Sequence, residues 1–182
     1  MRVIRSRVAK RYALALFQAA REKGALEAVE ADLNLLKAEY EAVEAFRRLI
    51  DSPVIENQAK QEAFRRAFSG KIGELAMNFM LLLIAKNRES YFLPVIHHFR
   101  ELLDAHRGIL RGEVLAPVTL SDEQLKRLKA QLDARTGKNV ILTQRVDPSL
   151  LGGFVVRIRD TIIDTSLRHQ LERLKQRLIE QV

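Results

Sequence analysis

Histidine is the residue type in this sequence best suited to metal binding or acid–base chemistry, because none of the 182 residues is cysteine. The lack of cysteine excludes disulfides, thiolate catalysis, zinc–cysteine sites and iron–sulfur ligation. His97 and His98 are adjacent, so on one helix their side chains diverge by about 100° and do not easily share a metal ion. His106 and His169 stand apart from them and from each other. We therefore expect surface or interhelical histidines and no metal centre.

A glycine pair and an aspartate pair could also do chemistry. Gly152 and Gly153 would let backbone amides approach an anion, but they precede a predicted strand rather than a helix. The sequence contains neither a P-loop nor a dinucleotide-binding motif, so a tight bend before the strand explains the glycines better. Asp160 and Asp164 suit a turn and a strand end, and no G-x-S-x-G motif marks a nucleophile. The sequence predicts no catalytic residue and no cofactor.

The net charge of +8 raises nucleic-acid binding as an alternative function, because a basic protein attracts phosphate. Residues 1–105 contain 17 basic and 14 acidic side chains, and residues 106–182 contain 14 and 9. The charges of both signs alternate along predicted helices, as on solvated faces, and no basic element with interleaved aromatic residues stands out. A small enzyme without a recognisable motif is the other alternative.

The chain divides into two parts that have different hydrophobic periodicities. Residues 1–106 show helical spacing throughout, broken at Gly24, at Asp51-Ser52-Pro53 and at Gly70. The fifth helix is apolar nearly all round, so it is either enclosed by the other helices or receives an amphipathic helix from a partner. The pattern predicts a six-helix bundle with helices over residues 6–23, 26–40, 43–50, 57–68, 72–87 and about 94–106.

Residues 107–182 predict a small α+β domain with the element order β-α-β-β-β-α, so that the whole protein is mainly α. Strands are expected at 110–118, 139–146, 154–159 and 162–164. A capping-box signature at Ser121–Gln124 opens the helix between the first two strands. In the final helix, leucines at 167, 171, 174 and 178 form a regular stripe.

Two segments of the sequence indicate where in the cell the protein is expected. The longest apolar run, Phe79–Ala85, is far shorter than the roughly 18–20 residues that span a bilayer. The first eleven residues contain five basic side chains and no acidic one, which is typical of an organellar transit segment or of the basic first turns of an ordinary helix. The helical pattern continues without a break, which favours the ordinary helix and a protein on the cytoplasmic side.

Three stretches of the sequence resemble the delta subunit of bacterial F-type ATP synthases, the counterpart of the mitochondrial oligomycin-sensitivity-conferring protein. They are residues 8–17 (VAKRYALALF), residues 78–88 (NFMLLLIAKNR), and residues 140–174, which include VDPSLLGGF at 146–154. The stretches come in the family's order and the resemblance covers essentially the whole chain. It implies a non-catalytic stator subunit of the peripheral stalk, at the cytoplasmic face of the plasma membrane.

The resemblance also implies the partners. Residues 1–106 would bind the catalytic head through the N-terminal helix of an alpha subunit, next to a beta subunit, in a groove between the first and fifth helices. Residues 107–182 would hold the C-termini of the b subunits, so that proton transport is coupled to ATP synthesis. For the alpha helix we expect contacts from Val8, Tyr12, Ala15, Met77, Leu81 and Ile84. For the b subunit we expect contacts from Gly152, Gly153, Phe154, Leu167, Leu171 and Leu174.

Overall fold

The computed structural model describes the backbone of residues 2–158 and 161–180, and the side chains of 7–158, 161–173, 175 and 176. The described part is mainly helical, with eight α-helices, a short 3-10 helix and a four-stranded sheet towards the C-terminus. The chain forms two compact units, Met1–Leu103 and Asp104–Val182. The division falls in the last turn of the sixth helix, and the expected boundary lies at the end of that helix.

The first unit contains six helices in chain order. They are α1 (Arg2–Glu22), α2 (Leu26–Ala42), α3 (Glu44–Asp51), α4 (Asn57–Phe68), α5 (Glu74–Ala85) and α6 (Phe92–His106), with a 3-10 helix at Glu89–Tyr91. The α5 helix begins after Gly73, whose amide donates to the Asp32 carboxylate at 2.9 Å. Asn87 adopts a left-handed conformation with φ of 54°, so α5 ends before it. The helix is therefore shorter at both ends than the apolar pattern predicts.

Aromatic side chains join the short helices of the first unit. Phe46 of α3 packs against both Phe64 and Phe68 of α4, with ring centroids 6.2 and 5.0 Å away. Tyr40 of α2 meets Phe46 edge-on at 6.4 Å and also contacts Phe92 of α6 at 6.1 Å. Rings in tilted and edge-on pairs bury a large apolar area, which stabilises helices too short to be stable alone.

The second unit is a mixed sheet covered by one helix. Its elements are β1 (Ile109–Ala116), α7 (Asp122–Thr136), β2 (Asn139–Val146), β3 (Val155–Ile158), β4 (Thr161–Asp164) and α8 (Leu167–Glu180). The strand order is β2-β1-β3-β4, with β1 parallel to β2 and antiparallel to β3. The α7 helix supplies the crossover that a parallel pair requires. Ser121 and Gln124 form the predicted capping box, and Gly137 ends α7 at φ of 64°.

Alternation along the strands puts one face of this sheet in the core. Leu110 pairs with Val140 in register and Val114 pairs with Val156, and all four are buried together. Leu128 and Leu132 of α7 pack on them. No described residue of α8 belongs to this buried cluster, so Leu167 and Leu171 are not part of the core between the sheet and α7.

Candidate docking surfaces

The α1 helix has one fully buried side and one half-exposed apolar flank. Alanine on the buried side lets neighbouring helices approach closely, and Ala9, Ala13 and Ala20 are completely enclosed. Val8 and Tyr12 are half-buried and Ala15 is exposed. Their spacing of four and three residues places them on one flank. The structure therefore brings these three expected residues together on a surface that a partner can reach.

Tyr12 marks the side of α5 that adjoins this flank. Its ring lies edge-on to Phe79 of α5 with centroids 6.4 Å apart. Its hydroxyl accepts a hydrogen bond of 2.7 Å from Arg88, just beyond α5. Leu75 and Leu82 lie four residues before and three after Phe79, so they share its side of the helix. Leu82 is 45% exposed and Leu75 is half-buried, so both extend the apolar surface.

The other expected α5 residues lie elsewhere. Met77 and Leu81 each stand two residues from Phe79, and at about 100° per residue they project from nearly the opposite side of the helix. Both are half-buried against the core. Ile84 is 0% exposed, so it packs inside the unit and cannot line an open groove. Residues 75, 79 and 82, spaced by four and three, therefore lie on the side of α5 that adjoins Tyr12. We call Val8, Tyr12, Ala15, Leu75 and Leu82 the α1–α5 surface.

In the second unit, the glycine pair anchors the start of α8. The Gly152 carbonyl accepts a hydrogen bond from the Leu167 amide at 3.1 Å. Gly153 has φ of +76°, and a Cβ added there would stand 2.4 Å from the Thr165 carbonyl oxygen. The Phe154 carbonyl accepts from both the amide and the hydroxyl of Thr165. Close backbone approach therefore requires glycine, as the sequence suggested, and the pair fixes how α8 leaves the sheet.

Asp164 completes this junction. Hydrogen bonds from the Ser166 hydroxyl and amide hold the pKa of the Asp164 carboxyl below its usual range. Ser166 is itself buried, and its hydroxyl accepts from the His169 amide in the first turn of α8. Capping of this kind satisfies amides that a helix start leaves without partners. The carboxylate thus serves the turn and the helix start, not acid–base chemistry.

The predicted stripe on α8 is exposed where its side chains are described. Leu167 is 48% exposed and Leu171 is 60% exposed. Leu174 belongs to α8, but its side chain lies outside the described residues. Leu167 and Leu171 are one helical turn apart, so together they form an exposed apolar patch of the kind that marks a binding surface. We call Leu167 and Leu171, together with the neighbouring Gly152–Phe154 turn, the α8 surface.

Comparisons with known proteins decide the family. Residues 8–178 match the family model described as ATP synthase delta (OSCP) subunit. The chain belongs to the ATP synthase delta (OSCP) family. It is 37% identical to the ATP synthase subunit delta of Chloroherpeton thalassium over 94% of this chain and 93% of that one. It is 36% identical to that of Syntrophomonas wolfei, with 94% of both chains covered.

A solved structure supports the same assignment. A chain of the mitochondrial ATP synthase hexamer of Toxoplasma gondii superposes with a TM-score of 0.68 and 26% identity, over 94% of this chain and 97% of that one. The protein is therefore a component of the peripheral stalk of F-type ATP synthase, a structural stator subunit that is not itself catalytic. These comparisons give no support to the nucleic-acid alternative. No described helix is both long and apolar enough to cross a membrane.

Proposed function

We propose that the first unit is a six-helix bundle that binds the N-terminal helix of an alpha subunit through the α1–α5 surface. The observation that carries this proposal is the continuous apolar flank formed by Val8, Tyr12 and Ala15 beside Leu75 and Leu82. An amphipathic helix buries its apolar stripe in such a groove, with anchors one helical turn apart. Arg11 follows Val8 by three residues and precedes Ala15 by four, so this exposed basic residue lies beside the flank and can form part of the polar rim.

The α1–α5 surface serves a mechanical function. The stator must resist rotation of the head while the central shaft turns, so the contact has to withstand torque rather than perform a reaction. Burial of apolar side chains in a preformed groove gives a contact without a conformational change, and Tyr12 is already held by Phe79 and Arg88. A preorganised surface loses little side-chain entropy when the partner binds.

Calorimetry with a peptide of the alpha N-terminal helix tests the surface, and two leucines give a matched pair of variants. Leu82 and Leu14 are both 45% exposed, but Leu14 lies two residues from Tyr12 and therefore on the far side of α1. We expect Leu82→Asp to weaken peptide binding at least tenfold and Leu14→Asp to leave it unchanged. Equal affinities of the two variants would contradict the assignment, as would a wild-type chain that does not bind the peptide.

We further propose that the α8 surface binds the C-terminal end of a b subunit. The exposure of Leu167 and Leu171 supports this, because the sheet and α7 do not cover them in the described structure. A helix that follows the α8 leucine stripe in a coiled-coil manner would bury them. Together, the two surfaces would tie the head to the stalk at the cytoplasmic face of the membrane and couple proton transport to ATP synthesis.

A pull-down with the b C-terminal peptide tests the α8 surface on the full chain. We expect Leu171→Asp to abolish capture of the b peptide while alpha peptide binding persists. Ile162, which is 64% exposed on β4, offers a control of similar exposure. Retention of b binding by Leu171→Asp, or its equal loss by Ile162→Asp, would place the b contact elsewhere.

A further inference from the structure

His97, His98 and Glu101 form a group on one flank of α6, with His97 and Glu101 exposed and His98 half-buried, and we call it the α6 cluster. The inward side of this helix is occupied by Val95 and Phe99, which are buried. Glu101 follows the two histidines by four and three residues, so it shares a face with each of them. It therefore lies between the two imidazoles around the circumference of the helix.

The distances within the α6 cluster are short. Oε2 of Glu101 is 2.7 Å from Nδ1 of His98, and Oε1 is 3.5 Å from Nε2 of His97. The imidazole centroids are 5.4 Å apart. One ligand atom from each residue lies within 4.8 Å of the other two. Although the two histidines are adjacent on the helix, side-chain rotation brings both rings to one carboxylate.

We propose that the α6 cluster binds a divalent transition-metal ion of the Zn²⁺ type. Two imidazole nitrogens and one carboxylate oxygen are the donors that zinc and its neighbours Ni²⁺ and Cu²⁺ prefer. A tetrahedral ion with bonds of about 2.0–2.2 Å holds its donors about 3.3–3.6 Å apart. The present separations of up to 4.8 Å reach that value when the donors converge by about 1 Å, which rotation of the exposed side chains supplies without a change in the helix.

The exposures of the three side chains indicate how the ion would be held. The His98 side chain is only 13% exposed and is already oriented by packing, so it supplies the fixed ligand. Those of His97 and Glu101 are 71% and 56% exposed and can rotate to close the site. Three protein donors leave a tetrahedral ion one position for water. The guanidinium of the neighbouring Arg100 donates a hydrogen bond of 2.7 Å to the side-chain oxygen of Asn34 on α2, so its positive charge is held by that contact and not by the cluster.

Titration of the metal-free full chain with Zn²⁺, followed by calorimetry, tests the proposal. We expect one saturable Zn²⁺ site per chain at the α6 cluster, and His97→Ala and Glu101→Gln should each weaken it by at least about tenfold. Both substitutions change exposed side chains, so circular dichroism should show the fold intact. His169→Ala, a histidine outside the cluster, is the matched control and should retain wild-type affinity.

Cobalt gives a second readout that does not depend on heat. Co²⁺ bound by two imidazoles and a carboxylate should give visible absorption bands that disappear in His97→Ala and persist in His169→Ala. The proposal is overturned if the wild-type chain shows no saturable Zn²⁺ binding, or if His97→Ala binds as tightly as wild type. Loss of the site in His169→Ala would likewise place the ion elsewhere.

Discussion

Arg88 donates a hydrogen bond from Nη1 to the Tyr12 hydroxyl at 2.7 Å, which links the end of α5 to the middle of α1. The guanidinium carbon also lies 5.6 Å from the centroid of the Tyr12 ring. This pair lies at the edge of the proposed α1–α5 surface. It fixes the ring of the residue around which that surface is built.

The link between Arg88 and Tyr12 predicts an energetic coupling. Tyr12→Phe should lower the free energy of unfolding of the first unit by about 0.5–1.5 kcal/mol, because it removes one hydrogen bond and keeps the ring. Arg88→Ala should cost less in the Tyr12→Phe background than in wild type. Urea unfolding followed by tyrosine fluorescence measures this, because Tyr40 and Tyr91 also lie in the first unit and the chain has no tryptophan. Strictly additive losses would show that the two residues do not interact.

The buried ion pair of Lys60 and Glu89 gives a second prediction. Their charged atoms are 2.6 Å apart, with side chains only 5% and 9% exposed, so either charge alone would be stranded in the core. Glu89→Gln should therefore destabilise the first unit by about 3–5 kcal/mol. The double variant Lys60→Met/Glu89→Leu should recover most of that loss, because it removes both charges and fills the space. A double variant less stable than Glu89→Gln in urea unfolding would contradict this explanation.

The local pattern of apolar, capping and turn residues was enough to predict most of the helices and strands, but not the contacts between residues far apart in the sequence. The Ser121–Gln124 capping box and the α1 stripe were readable because their partners lie within a helical turn. Lys60 lies on a helix whose sequence looks solvated, and its pairing with Glu89 depends on how α4 meets the 3-10 helix. That contact forms only through tertiary packing, so it cannot be predicted from a short segment of the sequence.

The α5 helix shows the same limit for the candidate site. Because nearly every position is apolar, periodicity alone did not say which side meets α1, and the expected Met77 and Leu81 lie away from Tyr12. The contact between Tyr12 and Phe79 shows which side of α5 faces α1. Glu74 and Asn78 are polar and exposed, but the run Phe79–Ala85 after them contains no polar residue that would indicate which of its sides meets α1.

Gly153 and Gly137 both have positive φ but differ in their surroundings. A Cβ at Gly137 would meet nothing within 4 Å, whereas one at Gly153 would collide with the Thr165 backbone. Gly137→Ala should therefore cost about 1 kcal/mol from backbone strain alone, and Gly153→Ala more than about 2 kcal/mol. Far-UV circular dichroism in urea reports the loss. Equal effects would show that the strand–helix junction can relax around the added methyl group.

Asp133 predicts an acid dependence of the second unit. Hydrogen bonds from the Lys129 ammonium and the Val140 amide, at 2.6 Å each, hold the pKa of the Asp133 carboxyl below its usual value of 3.8. Because the folded pKa lies below the unfolded one, the ionised carboxylate stabilises the fold above pH 3.8. That contribution is lost as the pH falls through the folded value.

Asp133→Asn tests this dependence across the pH range. The variant should be less stable than wild type at pH 7 and lose less stability on acidification, so the two curves of urea midpoint against pH should converge as the pH falls through the lowered pKa of Asp133. Asp147 and Asp164 have lowered pKa values for similar reasons, because each accepts hydrogen bonds from a serine two residues later, so wild type should keep a residual acid slope in the variant. Parallel curves from pH 7 to pH 3 would mean that the Asp133 hydrogen bonds do not distinguish the charged carboxyl from the neutral one.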